Sequence, residues 1–182
     1  MTHFDVFGLP ARHALDAAAL EKRHRELALE FHPDRHAGAD ARERRVAMER
    51  TTALNDAYRV LKDPVRRAFY LLSLAGVDLD RADAGGPKDM PLELLEEVMD
   101  LREALHAALA SKDAGKVRAL AAKVEARRDA AVAQGVASLE ALAQQPGERF
   151  ELTKASHQLS LVRYFTRFLE EAEGLDEDEE AV

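Results

Sequence analysis

The stretch from Leu15 to Phe31 places Leu20, His24, Leu27 and Phe31 on one face at helical spacing, and it runs directly into His32-Pro33-Asp34. Pro33 has no amide proton and disfavours helical geometry in the residue before it, so the helix is predicted to stop at about Phe31. A second run follows. Asp40 with Glu43 three residues later has the form of a capped helix start, and Val46, Met48, Ala53, Leu54, Ala57, Tyr58 and Leu61 supply the apolar positions of a long helix. Two such helices are predicted to form an antiparallel hairpin, with His32-Pro33-Asp34 exposed at its tip. A polar, rigid tripeptide in that position is either a recognition element or a chemical site.

Flanking signals complete this first unit. Thr2 with Asp5 is expected to cap one or two turns ending at Gly8. The long helix closes with Asn55-Asp56-Ala57-Tyr58-Arg59-Val60-Leu61-Lys62-Asp63-Pro64, and a short fourth helix starts with Asp63 as N-cap and Pro64 at its first position. Small, polar and breaker residues between Leu79 and Asp89 mark a boundary, giving a unit of residues 1–75 and a linker of 76–90. Residues 91–173 are read as an independent three-helix bundle, from about Pro91 to Ser111, Asp113 to Gln144 and Glu148 to Ala172, with Gln145-Pro146-Gly147 as the second turn. Residues 174–182 read as a disordered acidic tail. With no Trp, few strand-like alternations and abundant Ala, Leu, Glu and Arg, the fold class is all-α.

Composition narrows the function. Zero Cys excludes disulfides and any iron–sulfur cluster held by the chain's own thiolates, and it fits a reducing cytoplasm. No signal peptide and no membrane span are expected. Residues 1–75 carry 13 Lys+Arg against 11 Asp+Glu, which leaves 13 against 23 of the chain's 26 and 34 for residues 76–182. The acidic remainder and the lack of aromatic residues among the basic ones argue against nucleic acid. Lys22, Arg23 and Arg25, with Arg35 beside the tip, read instead as a compact docking patch for an acidic protein surface, the alternative being a solvated helix face.

Chemistry by the chain itself has little support. His32, Asp34 and His36 have a spacing that can hold a metal, with Asp40 as a further oxygen, but no distant ligand set accompanies them, and the favoured reading is no metal and no cofactor. No Gly-rich phosphate loop, nucleophile elbow or Cys-His pair is present, so no catalytic residues are assigned. His24, on an apolar face, reads as a packed residue; His3, His13, His106 and His157 stand singly without a signal.

The first bundle helix has more apolar surface than a bundle needs. Leu94, Val98, Leu101 and Leu105 form one stripe, while Leu92, Leu95 and Met99 form a second about 100° or more round the helix. Glu96 and Glu103 flank the second stripe, with Asp100 further round. A protein-binding face and a doubly buried helix are both compatible with that pattern.

The short first helix, the basic second helix, His32-Pro33-Asp34 in the loop and Asn55-x-Ala57-Tyr58-x-x-Leu61-x-Asp63-Pro64 at the close of the third together resemble a J domain. Phe4-Asp5-Val6-Phe7-Gly8-Leu9-Pro10-Ala11-Arg12 and Arg67-Ala68-Phe69-Tyr70-Leu71-Leu72-Ser73-Leu74-Ala75-Gly76 look like the HscB family, the J-proteins dedicated to iron–sulfur cluster assembly. The resemblance implies a co-chaperone that is not itself an enzyme. His32, Pro33 and Asp34, with Lys22, Arg23 and Arg25, would dock on a DnaK/HscA-type chaperone and stimulate its ATPase. Arg35-His36 departs from the Lys-Phe more often found there. The resemblance also implies that Leu92, Leu95, Glu96, Met99, Asp100 and Glu103 bind an IscU-type scaffold protein, Glu96 standing where the family often has an apolar residue. Phe165 is the match for a family contact from the last helix, with Phe168 the alternative. ATP and magnesium would belong to the partner. A general J-domain co-chaperone for other clients is the rival reading.

Overall fold

The computed structural model describes residues 1–32, 38, 40–79, 90–145 and 149–173, and in them it contains α-helices and no strand. By density of internal contacts the chain divides into Met1–Leu71 and Leu72–Val182.

The first unit is built on α1 (His3–Phe7), α2 (Ala17–Glu30), α3 (Ala41–Lys62) and the start of α4 (Pro64–Leu74). Each begins where a side chain can satisfy the orphan amides of a first turn. Thr2 and Asp5 form a reciprocal capping box on α1. Asp16 accepts from Ala18 and Ala19 on α2, Asp40 accepts from Glu43 on α3, and Asp63 accepts from Val65 and Arg66 on α4. Gly8 stops α1 in the left-handed region at φ 65°, which a Cβ would oppose, while the Leu9 amide reaches back to the Phe4 carbonyl.

Phe4 and Phe7 of α1, Leu20 and Leu27 of α2, and Leu54, Ala57 and Leu61 of α3 close on one another as the core of this unit. Full burial of each large side chain contributes about 1.5–3 kcal/mol, which is what holds so short a helix as α1 in place. Met48, expected among the apolar positions, is exposed; its neighbour Ala47 faces inward instead. Positions 47, 54, 57, 58 and 61 share an arc, and residue 48 lies roughly 100° outside that of 47.

Two connections were invisible in the sequence. His13 Nε2 donates to the Pro64 carbonyl at 3.0 Å and Arg67 Nη1 donates to the His13 carbonyl at 2.9 Å, fastening the segment between α1 and α2 to the start of α4. Tyr70 Oη accepts from the His3 amide at 2.8 Å and the two rings stack with centroids 4.3 Å apart.

The second unit is α5 (Leu92–Ala110), α6 (Ala114–Gln144) and α7 (Arg149–Glu173), within about two residues of the expected limits. Asp113 caps α6, accepting from Lys116. The long pair α6 and α7 runs antiparallel and packs closely at Gly135, where an added Cβ would lie 3.0 Å from the Leu159 side chain. Arg163 of α7 donates to the Leu79 carbonyl, holding the strand of chain that leaves α4. The expected linker core at 80–89, the turn residues Pro146 and Gly147, and the tail at 174–182 lie outside the described residues. No helix among the described residues is long and apolar enough to cross a membrane.

Candidate docking surfaces

The C-terminal end of α2 is positioned by contacts with α3 in which the α3 partner falls in number as the α2 residue rises, as an antiparallel hairpin requires. His24 stacks on Tyr58 with centroids 4.0 Å apart and 15° between planes, and its Nε2 donates to Asn55 Oδ1 at 3.1 Å. The Asn-x-Ala-Tyr sequence of α3 is thus a clamp for α2: Asn55 and Tyr58 hold His24 while Ala57 joins the core. One end further on, Thr51 Oγ1 donates to the Phe31 carbonyl at 3.0 Å and Arg50 lies 5.6 Å from the Phe31 ring. These contacts fix the last turn of α2, and with it the exposed His32 that follows. Pro33, Asp34, Arg35 and His36 lie outside the described residues. Among the described residues no group of three or more His, Cys, Asp or Glu could hold a metal.

Lys22, Arg23 and Arg25 are all exposed on α2, but they do not form one compact patch. At about 100° per residue Arg23 projects roughly 160° round the helix from Arg25, while Lys22 and Arg25 share a side with Leu29. Each arginine is also paired within its helix, Arg23 with Glu26 at 3.3 Å and Arg25 with Glu21 at 3.1 Å. Exposed pairs of this kind contribute little to stability and open readily toward a partner's carboxylates.

On α5 the structure separates the two stripes. Leu101 and Leu105 are buried and Leu94 and Val98 partly so, whereas Leu92 is 65% exposed, Leu95 37% and Met99 70%. Glu96, Asp100 and Glu103 are exposed beside them. An apolar strip with a soft Met and an acidic border therefore faces solvent on this unit, because α6 and α7 cover only one side of α5. Phe165, expected to join the strip, does not: it is 1% exposed in the core of α7, and Phe168, at 8%, is buried as well. Phe165 faces Arg127 of α6, whose guanidinium carbon lies 5.9 Å from its ring and which also binds Glu97 of α5. Arg127 carried no recognisable signal, since nothing in the local pattern of α6 announces a partner on α5.

The geometry of the first unit, a capped short helix packed on a clamped hairpin with His32 at its turn, is that of a J domain, and residues 2–70 match the DnaJ domain family model. Residues 90–173 match the model described as the HSCB C-terminal oligomerisation domain. The chain is 42% identical over 125 residues to a co-chaperone protein HscB homolog of Burkholderia multivorans, covering 68% of this chain and 69% of that one. It is 46% identical over 126 residues to the Bordetella parapertussis homolog, covering 69% and 71%. The solved structure of chaperone HscB from Vibrio cholerae superimposes with a TM-score of 0.74 at 32% identity, over 98% of this chain and 99% of that one. The protein is a J-domain co-chaperone. More narrowly, the chain belongs to the HscB family.

Proposed function

We propose that this co-chaperone stimulates ATP hydrolysis by a DnaK/HscA-type chaperone in the cytoplasm and delivers to it an IscU-type iron–sulfur scaffold protein, assisting cluster assembly and transfer. Residues 1–75 act as the trigger and residues 91–173 as the client-binding domain. The observation that carries the reading is the exposed strip of Leu92, Leu95 and Met99, bordered by Glu96, Asp100 and Glu103, on the same chain as a J domain.

His32, Pro33 and Asp34 dock at the chaperone, with Lys22 and Arg25 contributing from one side of α2 and Arg23 from another. The apolar strip buries against the scaffold, and the acidic border selects a basic surround on it. Holding both partners on one chain raises the concentration of scaffold beside the chaperone without any new contact. Nucleotide and magnesium are bound by the chaperone, and the cluster by the scaffold.

The test is the chaperone's ATPase measured with and without scaffold. Wild-type protein is expected to stimulate it, and more so with scaffold present. Asp34→Asn is expected to lose the stimulation while scaffold binding by calorimetry is retained; stimulation at the wild-type level by that variant refutes the mechanism. Stimulation by a denatured polypeptide but not by folded scaffold would instead support a general J-domain co-chaperone.

A further inference from the structure

The half of α5 that bears the strip is the half its core grips least. The helix's buried residues, Leu101, Leu105 and Ala108, lie at its midpoint or beyond, and Pro91 provides no side-chain cap at its start. Glu97 sits in the middle of the N-terminal half, at the border between the inward stripe and the acidic edge. Its carboxylate receives Arg127 of α6 through two parallel bonds, Nε to Oε1 at 2.6 Å and Nη2 to Oε2 at 2.9 Å. A guanidinium fork on a carboxylate fixes direction as well as distance, which a lysine at that position would not do. The guanidinium is seated against buried Phe165, so the clamp joins α5, α6 and α7. Both side chains are only about 30% exposed, at 29% and 31%, and so are partly shielded from competing water.

We infer that Arg127 is a positioning residue for the client-binding strip: by clamping Glu97 it sets the roll of the N-terminal half of α5 about its axis and so the direction in which Leu92, Leu95 and Met99 face. The inference rests on the reading of that strip as the scaffold-binding face. Pairing with Arg127 also neutralises Glu97, leaving Glu96, Asp100 and Glu103 as the charges offered to a partner. Phe165 thereby serves the strip from inside, as the seat of the clamp.

Two readouts on the full chain test this. Hydrogen exchange of the amides of residues 96–100 is expected to quicken in Arg127→Gln while that of residues 105–110 stays as in the wild type, and the charge-swapped pair Glu97→Arg with Arg127→Glu is expected to restore protection. Scaffold binding by calorimetry is expected to weaken roughly fivefold in Arg127→Gln and to recover in the swap, whereas a general loss of folding would not be rescued by reversing the pair. Unchanged exchange at residues 96–100 in Arg127→Gln overturns the inference, as does quickened exchange with wild-type scaffold affinity. If the wild-type chain itself binds no scaffold, the reading of the strip fails, and the exchange experiment still decides whether the clamp holds α5.

Discussion

Leu105→Ala and Met99→Ala, on opposite faces of α5, are expected to fail in opposite ways. Leu105 is fully buried, at 0% exposure. Its truncation removes apolar atoms from the core and leaves a cavity, at a cost of about 2–5 kcal/mol. For a domain of this size each kcal/mol moves the melting midpoint by roughly 4–8 °C, so the bundle transition should fall by at least about 8 °C. Met99 is 70% exposed, leaving less than a third of its surface to lose. Full burial of a Met contributes about 1.5–3 kcal/mol, so truncation costs the fold about 0.5–1 kcal/mol, part of it offset by the better helix propensity of Ala. Against a partner the order reverses. An anchor residue in an interface is worth more than about 1 kcal/mol, so Met99→Ala should weaken scaffold binding about fivefold or more. Circular dichroism melting and calorimetric titration of both variants make the comparison. If Met99→Ala lowers the midpoint as far as Leu105→Ala does, the face assignment is wrong; if it melts normally and binds scaffold with wild-type affinity, Met99 is exposed but is not a contact.

Other perturbations reach the scaffolding of each unit. His24→Ala removes both the stack on Tyr58 and the bond to Asn55, and chemical denaturation of the first unit should show a loss of about 1–2 kcal/mol; an unchanged midpoint would mean that the hairpin is held by its apolar residues alone. Burial holds the His3 imidazole below its ordinary pKa, outweighing the opposing pull of Asp56. Between the folded value and the unfolded one of about 6.5 the unfolded chain binds the extra proton, so this contribution is intact above that pH and is lost as the pH falls through it. His3→Gln should therefore flatten the acid side of the first unit's stability profile, and a profile identical to the wild type would remove His3 from the account. Gly135→Ala would place a Cβ 3.0 Å from Leu159 Cγ and Cδ2. Overpacking of about 1–3 kcal/mol should exceed the helix-propensity gain of at most about 1 kcal/mol, lowering the bundle's melting midpoint; a rise would show that Leu159 gives way.

The parts of this protein governed by short-range rules were legible in the sequence. Thr2, Asp40 and Asp63 each cap a helix in the structure as expected, and Gly8 ends α1, because a cap and a left-handed turn are satisfied by atoms within a few residues. The J-domain resemblance rested on the same kind of information, a set of residues at fixed spacing. Met48 lies off the arc of α3 that the core covers and Arg23 off the side of α2 that carries Lys22 and Arg25, both matters of periodicity, whereas Phe165 is placed by remote packing. Periodicity reports which residues share an arc, while burial depends on which neighbouring helices lie over that arc, and those neighbours are remote in the chain.

The sequence alone, then, determines the helices of the described residues to within a few positions of their ends, an exposed His32 after α2 and two apolar stripes on α5. Tertiary structure decided between the stripes, turning Leu101 and Leu105 inward and Leu92, Leu95 and Met99 outward. It drew Phe165 into the core and brought Arg127, thirty positions along, onto Glu97. The physical reason is coverage. Two helices pack against one side of α5, the side they leave open keeps its apolar strip in water, and no local rule encodes which side that will be.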